Sequence, residues 1–448
     1  MASAAEQLAS NMSWSAFSKA SDLRSRIFFT IMALVIYRFG AQLYIPGIDS
    51  VAASEQLAQS GGLLAMVNTF TGQAFGRMTI FALGVFPYIT ASIVMQLVTT
   101  ISPQMEALKK EGEAGRRKIN QYTRYLTVAL TLAQALGVSV FLESSGLALI
   151  SGFMFKFTVM VTILGGTLFL MWLGEQITQR GIGNGISLII YAGIVSGLPG
   201  TIGQLFDKTS KGTMSPLVLF AIIAAVVAIF LFIVYVERAQ RRVTVNYPRQ
   251  AHASQFMQQQ SSHIPLKVNT AGVIPPIFAG SLLSFPQMLE PLLAGDSSSS
   301  SFQQMLSKIM VWMGPNRPVY YILTAALVIF FTFFYTSVVF NPEETAQNLK
   351  RNGGFIPGIR PGKSTEKYFD YVLTRLAAVA AVYLAFLTII PTIAQQSLGI
   401  GFALGGTSLL IIVSVTMDTV TQVQSHMLAQ QYEGLMKRSK ISKRGGRR

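Results

Sequence analysis

Few residues in this chain have the type and spacing to do covalent chemistry. The stretch from Pro357 to Thr365, PGIRPGKST, approximates a phosphate-binding loop, but G-x-x-x-x-G-K-[ST] spacing needs glycine at 357, where Pro357 stands. Gly181-Ile182-Gly183-Asn184-Gly185 lacks the third glycine of a dinucleotide fingerprint. The three histidines, His252, His263 and His426, fall in or beside polar segments, and no Ser/His/Asp arrangement or metal-ligand cluster is visible. There is no cysteine, so disulfides and thiolate metal sites are absent. Neither an enzyme nor a cofactor site is expected.

The ionisable residues inside apolar runs are equally sparse. Glu175 and Glu237 stand at the ends of such runs, where solvation or an interfacial pair is the default, and Asp418 lies toward the end of the last run. Arg38 alone sits within one, and either snorkels from a helix end or makes a structural pair. Ion-coupled transporters keep acids or histidines at mid-membrane as relays, so a proton-coupled carrier is disfavoured.

The elements that must position these residues are membrane helices. Of 448 residues, 51% are hydrophobic and 12% charged, and the mean hydropathy is +0.47, well beyond a soluble domain. Apolar runs near 27–45, 79–99, 125–142, 153–173, 185–205, 216–236, 268–293, 319–340, 371–394 and 404–424 make ten spans. The first has no cleavage site after it and reads as a retained helix. Most of the 35 Lys and Arg behind the net charge of +16 gather before the first span, at 109–124, at Arg180, in 238–267, in 350–375 and in the tail. These segments share one side, and Arg77, Lys156, Lys208, Lys211, Lys308 and Arg317 lie on the other. The asymmetry puts both termini in the cytoplasm.

The expected divisions are a cytoplasmic segment 1–26, a first half 27–205, a second half 206–424 and a basic tail 425–448. The polar loops 238–267 and 341–370 are long enough to project and bind a partner. Between Gly295 and Arg317 an amphipathic FQQMLSKIMVWMG reads as a surface helix. The tail, ending KRSKISKRGGRR, is a like-charge block of the kind that stays disordered, suited to anionic lipid headgroups or to ribosomal RNA.

One stretch, Gly61 to Thr100, is too long for one span and too interrupted for two. Thr79 to Thr99 spans alone, which leaves Leu63 to Phe70 as a short re-entrant piece joined by residues 71–77. Non-helical backbone survives at membrane depth only inside protein or beside a water-filled cavity. The second span contains Gly84-Val85-Phe86-Pro87-Tyr88-Ile89 and then Ala91, and the seventh contains Gly272-Val273-Ile274-Pro275-Pro276-Ile277 and then Ala279. Each lies in the second span of a five-span half, so the pattern recurs in inverted topology. Such repeats point to a path between the halves. Proline within each helix would bend it, placing Ile89 and Ile277 beside a break as candidates for a constriction, or else as ordinary lipid-facing or core residues.

The motifs GEAGRRKINQYTRY, MWLGEQITQRGIGNGIS, NPEETAQNLK, GFIPGIRPG and GGTSLLI, in this order, resemble the bacterial SecY family, channel subunits of the Sec translocon. The resemblance runs from about Ser21 to Met436. It implies a pore ring of Val85, Ile89, Ile186, Ile190, Ile277 and Ile411, and a plug carrying Leu63, Leu64, Met66, Val67, Asn68 and Phe70. It implies a lateral gate of the second, third, seventh and eighth spans, with Gln96 and Asn269 at similar depth in its cytoplasmic half. Arg360, with Arg242 and Arg249 in the other loop, would dock the SecA motor or the ribosome. Where some relatives carry further arginines after Arg249, this chain reads AHASQFMQQQSS, which weakens that docking loop for phosphate contacts. The implied partners are SecE and SecG, SecA, the ribosome, signal sequences and nascent polypeptides, and anionic lipids, in a bacterial inner membrane. The expected fold is therefore an all-α polytopic membrane protein of ten helices in two inverted halves, with a re-entrant plug helix. A small-solute transporter on inverted repeats is the competing class, and would need mid-membrane acids or a polar substrate pocket.

Overall fold

A computed structural model describes residues 21–50, 52–54, 68–247, 262–293, 317–398 and 405–445. The first half comprises α1 (Ser21–Gly40), α2 (Phe86–Ile101), the short α3 (Pro103–Lys110), α4 (Glu113–Ser144), α5 (Phe153–Arg180) and α6 (Gly185–Ser210). The second comprises α7 (Pro216–Arg238), the strands β1 (Gln240–Val245) and β2 (Ser262–Lys267), α8 (Ile274–Leu293), α9 (Pro318–Val339), α10 (Pro342–Arg351), α11 (Lys363–Leu398) and α12 (Gly406–Gly445). Each of the ten apolar runs falls on a helix. Seven of these are long and apolar enough to cross a membrane unaided, and the apolar helix of α2 is shorter.

Helix starts follow local chemistry. Asn184 accepts from the amides of Ile186 and Ser187 to cap α6, and Ser215 caps α7 ahead of Pro216. Asn341 caps α10, whose first turn holds Glu343 and Glu344 and whose last holds Lys350 and Arg351, as its dipole favours.

The second span differs from expectation. Its helix begins at Phe86, and residues 71–85 are consecutive turns. Their backbone is buried and satisfied: the Ile80 amide donates to Leu43 O at 2.9 Å, the Ile45 amide to Met78 O at 3.0 Å, and most others close within the turns. Pro87 therefore starts a helix rather than kinking one, because its missing N–H costs nothing in a first turn. The seventh span does the same: α8 begins at Ile274, with Pro275 and Pro276 in its first turn. In both repeats the glycine takes a positive φ, +55° at Gly84 and +62° at Gly272. The first helical bond then closes on the valine, from the Ile89 amide to Val85 O and from the Ile277 amide to Val273 O. The shared motif is thus a left-handed turn feeding a helix N-terminus.

The halves meet along two seams. On one side α8 lies against α2 and α4, and on the other α6 lies against α7 and α12 and α1 touches α12. The chain connects the halves only on the second side, through residues 211–215. One buried core runs through both.

Two further differences concern the polar parts. The loop 238–267 contributes an antiparallel pair, β1 and β2, with Arg242 opposite Pro265, so the fold is helical with one small sheet. The tail continues α12 to Gly445 rather than remaining irregular, in keeping with the helix propensity of its Leu, Met, Gln and Lys and with basic residues at a helix C-terminus. The expected surface helix near 302–314 lies outside the described residues.

We expect Gly272→Ala to lower stability by about 1–2 kcal/mol, the cost of a β-carbon in the left-handed region, since a methyl there meets open space. Gly84→Ala should cost more, because its methyl would approach Thr71 Cγ2 to 2.8 Å. Thermal unfolding of the purified protein in detergent measures both.

Candidate functional site

The aliphatic positions implied for a constriction occupy equivalent places in four helices. Val85 precedes α2 and Ile89 closes its first turn, Ile277 closes that of α8, Ile186 and Ile190 lie in the first two turns of α6, and Ile411 in the second turn of α12. Two of these helices come from each half. They bracket both seams, since α2 contacts α8 and α6 contacts α12. Five of the side chains are buried, Ile411 to 1% exposure, and Ile186 is partly buried against the same core. Asn184 fixes the start of α6, and the Gly183 amide donates to Gln422 Oε1 at 2.8 Å, tying that start to α12. All of these positions except Ile411 are therefore set by capped or proline-led helix starts.

Of the plug positions, Leu63, Leu64, Met66 and Val67 lie outside the described residues. Asn68 and Phe70 form a last helical turn before the run of turns. Asn68 Oδ1 accepts from the Gly76 amide at 2.6 Å, and the Phe70 ring stacks on Phe86, the first residue of α2, at 5.8 Å.

The implied gate helices α2, α4, α8 and α9 do pack together. Their interface is rich in small hydroxyl residues, as membrane helix contacts are: Thr123, Thr127 and Thr131 on α4, Ser281 and Ser284 on α8, and Thr332 and Thr336 on α9 are buried. Each hydroxyl donates to a carbonyl one turn back in its own helix. Among the described residues no hydrogen bond or ion pair joins α2 or α4 to α8. Among the described residues that seam is held by packing.

Gln96 and Asn269, expected at one depth, are not joined by a hydrogen bond. Gln96 Nε2 reaches Ser92 Oγ at 3.4 Å and its Oε1 is buried without a partner among the described residues. Asn269 Nδ2 donates to Glu237 Oε1 at 2.6 Å and to Gly272 O at 3.1 Å. Glu237 was expected at a solvated or interfacial span end, but is only 7% exposed. The correction has a physical cause: α7 ends where β1 and the entry to α8 cover it, so the carboxylate is desolvated and needs a donor. An acid in the last turn of an otherwise apolar run is the only local signal for it. The pair lines a cavity of about 460 Å³, together with Ser187, Lys267, Asp418 and Gln422. Lys267 and Asp418 form an exposed ion pair across it at 3.6 Å, which contributes little. Glu175 makes the interfacial pair expected of it, with Arg124 Nε on its Oε1 at 3.1 Å.

The docking candidates Arg242 and Arg360 are exposed and make no ion pair among the described residues; Arg249 lies outside them. The loops that carry them form one platform. Asn246 and Phe355 exchange both backbone hydrogen bonds at 2.9 Å, and Val243, Val245, Leu266, Leu349, Ile356 and Phe369 share a separate apolar core beneath. Thr365 Oγ1 donates to the Arg360 carbonyl at 3.0 Å, closing the loop tip.

The SecY family model matches residues 79–420. The chain is 49% identical to the protein translocase subunit SecY of Rickettsia conorii over 433 residues, 95% of this chain and 99% of that one. It is 47% identical to that of Escherichia coli K12 over 425 residues, 94% and 95% of the two chains. Among solved structures, one concerned with the plug domain of SecY and the closed translocation channel superimposes with a TM-score of 0.66 at 20% identity, over 90% of this chain and 92% of that one.

Asn269→Leu strands the buried Glu237 carboxylate, and we expect it to cost on the order of 1–3 kcal/mol. The double variant with Glu237→Leu should recover part of that loss. Unfolding midpoints of the single and double variants in detergent check the coupling.

Proposed function

The chain belongs to the SecY family, and from that premise we propose that it is the central subunit of a protein-conducting channel. It would pass unfolded polypeptides across the bacterial inner membrane and release apolar segments sideways into lipid. The observation that supports this reading is that six aliphatic positions lie at or beside the starts of four helices, two from each half, and belong to or pack on one buried core. An aliphatic ring offers no group to replace an ion's hydration shell, so it gates by dewetting, and branched side chains can yield around a passing chain.

Opening would follow the difference between the seams. The α2/α4–α8 seam carries no polar bond among the described residues, whereas the α6–α7 side is continuous in the chain. A hinge at the back and a gate at the front let an apolar segment partition into lipid at a few tenths of a kcal/mol per favourable residue. The plug, from Leu63 to Phe70, would seal the resting channel against its external side. Gln96 on α2 and Asn269 in the segment leading into α8 would act separately at the gate.

Driving energy would come from SecA or the ribosome, docked on the platform through Arg360 and Arg242, with both termini on that cytoplasmic side. SecE and SecG would lie against exposed apolar faces such as that of α7, where Leu217, Phe220 and Tyr235 are each more than 70% exposed. The basic end of α12 would meet anionic lipid headgroups.

A photo-crosslinker at Ile277, and separately at the lipid-exposed Val382 of α11, tests the path when a secretory chain is stalled in membrane vesicles. Crosslinks at Ile277 alone are expected, and crosslinks at neither with translocation intact would overturn the reading. Ile89→Asn or Ile277→Asn should make resting vesicles leak ions. Arg360→Glu should weaken motor or ribosome docking roughly tenfold or more, the loss of a charge-assisted contact, without altering resting conductance.

A further inference from the structure

The charge stranded within the first span has a specific partner. Arg38 lies in the last turn of α1 and forms no ion pair among the described residues. A charge at this depth is costly unless it is satisfied. Its Nη1 donates to the carbonyl of Gly72 at 3.3 Å, and the neighbouring Tyr37 hydroxyl donates to the carbonyl of Thr71 at 3.1 Å. Tyr37 is 2% exposed, and its ring stacks on Phe81 at 6.0 Å. Two successive side chains of α1 thus hold two successive carbonyls at the point where the plug's last helical turn gives way to turns.

Those carbonyls need outside donors because the chain reverses there. Gly72 and Gln73 take φ of +67° and +68°. Among the described residues no backbone amide reaches the Gly72 carbonyl, and the amide reaching that of Thr71, from Ala74, is long at 3.4 Å. The opposite wall is α6. A methyl on Gly193 would come within 2.6 Å of Phe70 O and 3.1 Å of the Tyr37 hydroxyl, and one on Gly72 within 2.9 Å of Gly193 Cα. The hinge is therefore seated in a notch between α1 and α6, both in the first half, and its contacts with Tyr37, Arg38 and Gly193 do not cross the seam that would open.

We propose that Tyr37 and Arg38 form a clamp that fixes residues 71–72 to the first half and so holds the helical turn 68–70 in its resting place. They act as positioning residues. This rests on the channel reading above. When the halves part, residues 71–72 stay with α1 and α6.

The cysteine-free chain allows a clean test. A single cysteine at Thr69 reports plug position through its labelling rate with a membrane-impermeant maleimide in resting vesicles, and one at the buried Thr332 of α9 reports general loosening. In the double variant Tyr37→Phe, Arg38→Met we expect labelling at 69 to rise about tenfold, as the loss of two hydrogen bonds of about 1 kcal/mol each or less would give. Resting ion conductance should rise with it, while labelling at 332 stays unchanged. Arg38→Lys, which keeps a donor, should restore most of the protection. Should the double variant fail to insert, Tyr37→Phe alone, which removes one oxygen and keeps the ring, is expected to raise labelling at 69 several-fold. Parent labelling rates in an inserted variant, or equal rises at 69 and 332, would overturn the clamp. If Ile89→Asn and Ile277→Asn leak but the clamp variants neither leak nor label faster, the clamp alone fails. If the ring variants do not leak, the channel reading fails and the clamp with it.

Discussion

A peptide group in hydrocarbon has no water to bond, and this one constraint organises the molecule. A chain that breaks its helices inside the membrane must find partners for the freed amides and carbonyls within the protein. Here the breaks fall at residues 71–85 and again before α8, and both lie where the two halves can cover them. The turns ahead of α2 satisfy themselves locally, borrow Leu43 and Ile45 from the segment after α1, and take two side-chain donors from α1 itself. Because the broken backbone must be central, the helix starts that follow it are central too. That is how Val85, Ile89 and Ile277 come to belong to the same buried core as Ile190 and Ile411.

The asymmetry between the seams follows from where polar groups are spent. At the back, α6 is capped by Asn184, bonded to Gln422 of α12 and joined to α7 by the chain. At the front, the hydroxyls of α4 and α8 bond back to their own helices, which satisfies them without committing either helix to the other. Asn269 ties the entry of α8 to α7 through Glu237, so α8 is anchored by a polar bond to its own half, while among the described residues none ties it to α2 or α4. A buried carboxylate with one strong partner is poor evidence for net stability, but it does hold the helix start in one place.

The face that carries β1, β2 and α10 is built separately. Its small apolar core is distinct from the membrane core, and the paired loops at Asn246 and Phe355 make two sequence-distant arginine-bearing segments into one surface. That core includes Phe369, Val372 and Leu373 of α11, so the exposed cations stand on a platform rooted in one long helix.

Much of this was legible in the chain. Hydropathy and length located apolar runs that each fall on a helix, and the repeated G-V-x-P pattern marked two helix starts with the same local geometry. Those properties are sums over neighbours in sequence, so local reading suffices. It did not reveal that Pro87 and Pro275 begin helices rather than bend them, which depends on the positive φ of the preceding glycines and on protein surrounding the turns. Nor did it reveal that Asn269 belongs with Glu237 rather than Gln96, that Arg38 serves the Gly72 carbonyl, or that the loop after α7 pairs as strands. Each of these is a choice of partner between distant segments. Hydropathy cannot make that choice in a membrane, because lipid is as apolar as a protein core: the more apolar α7 is nearly bare while the less apolar α4 is close to half buried, and only the tertiary structure decides which faces meet.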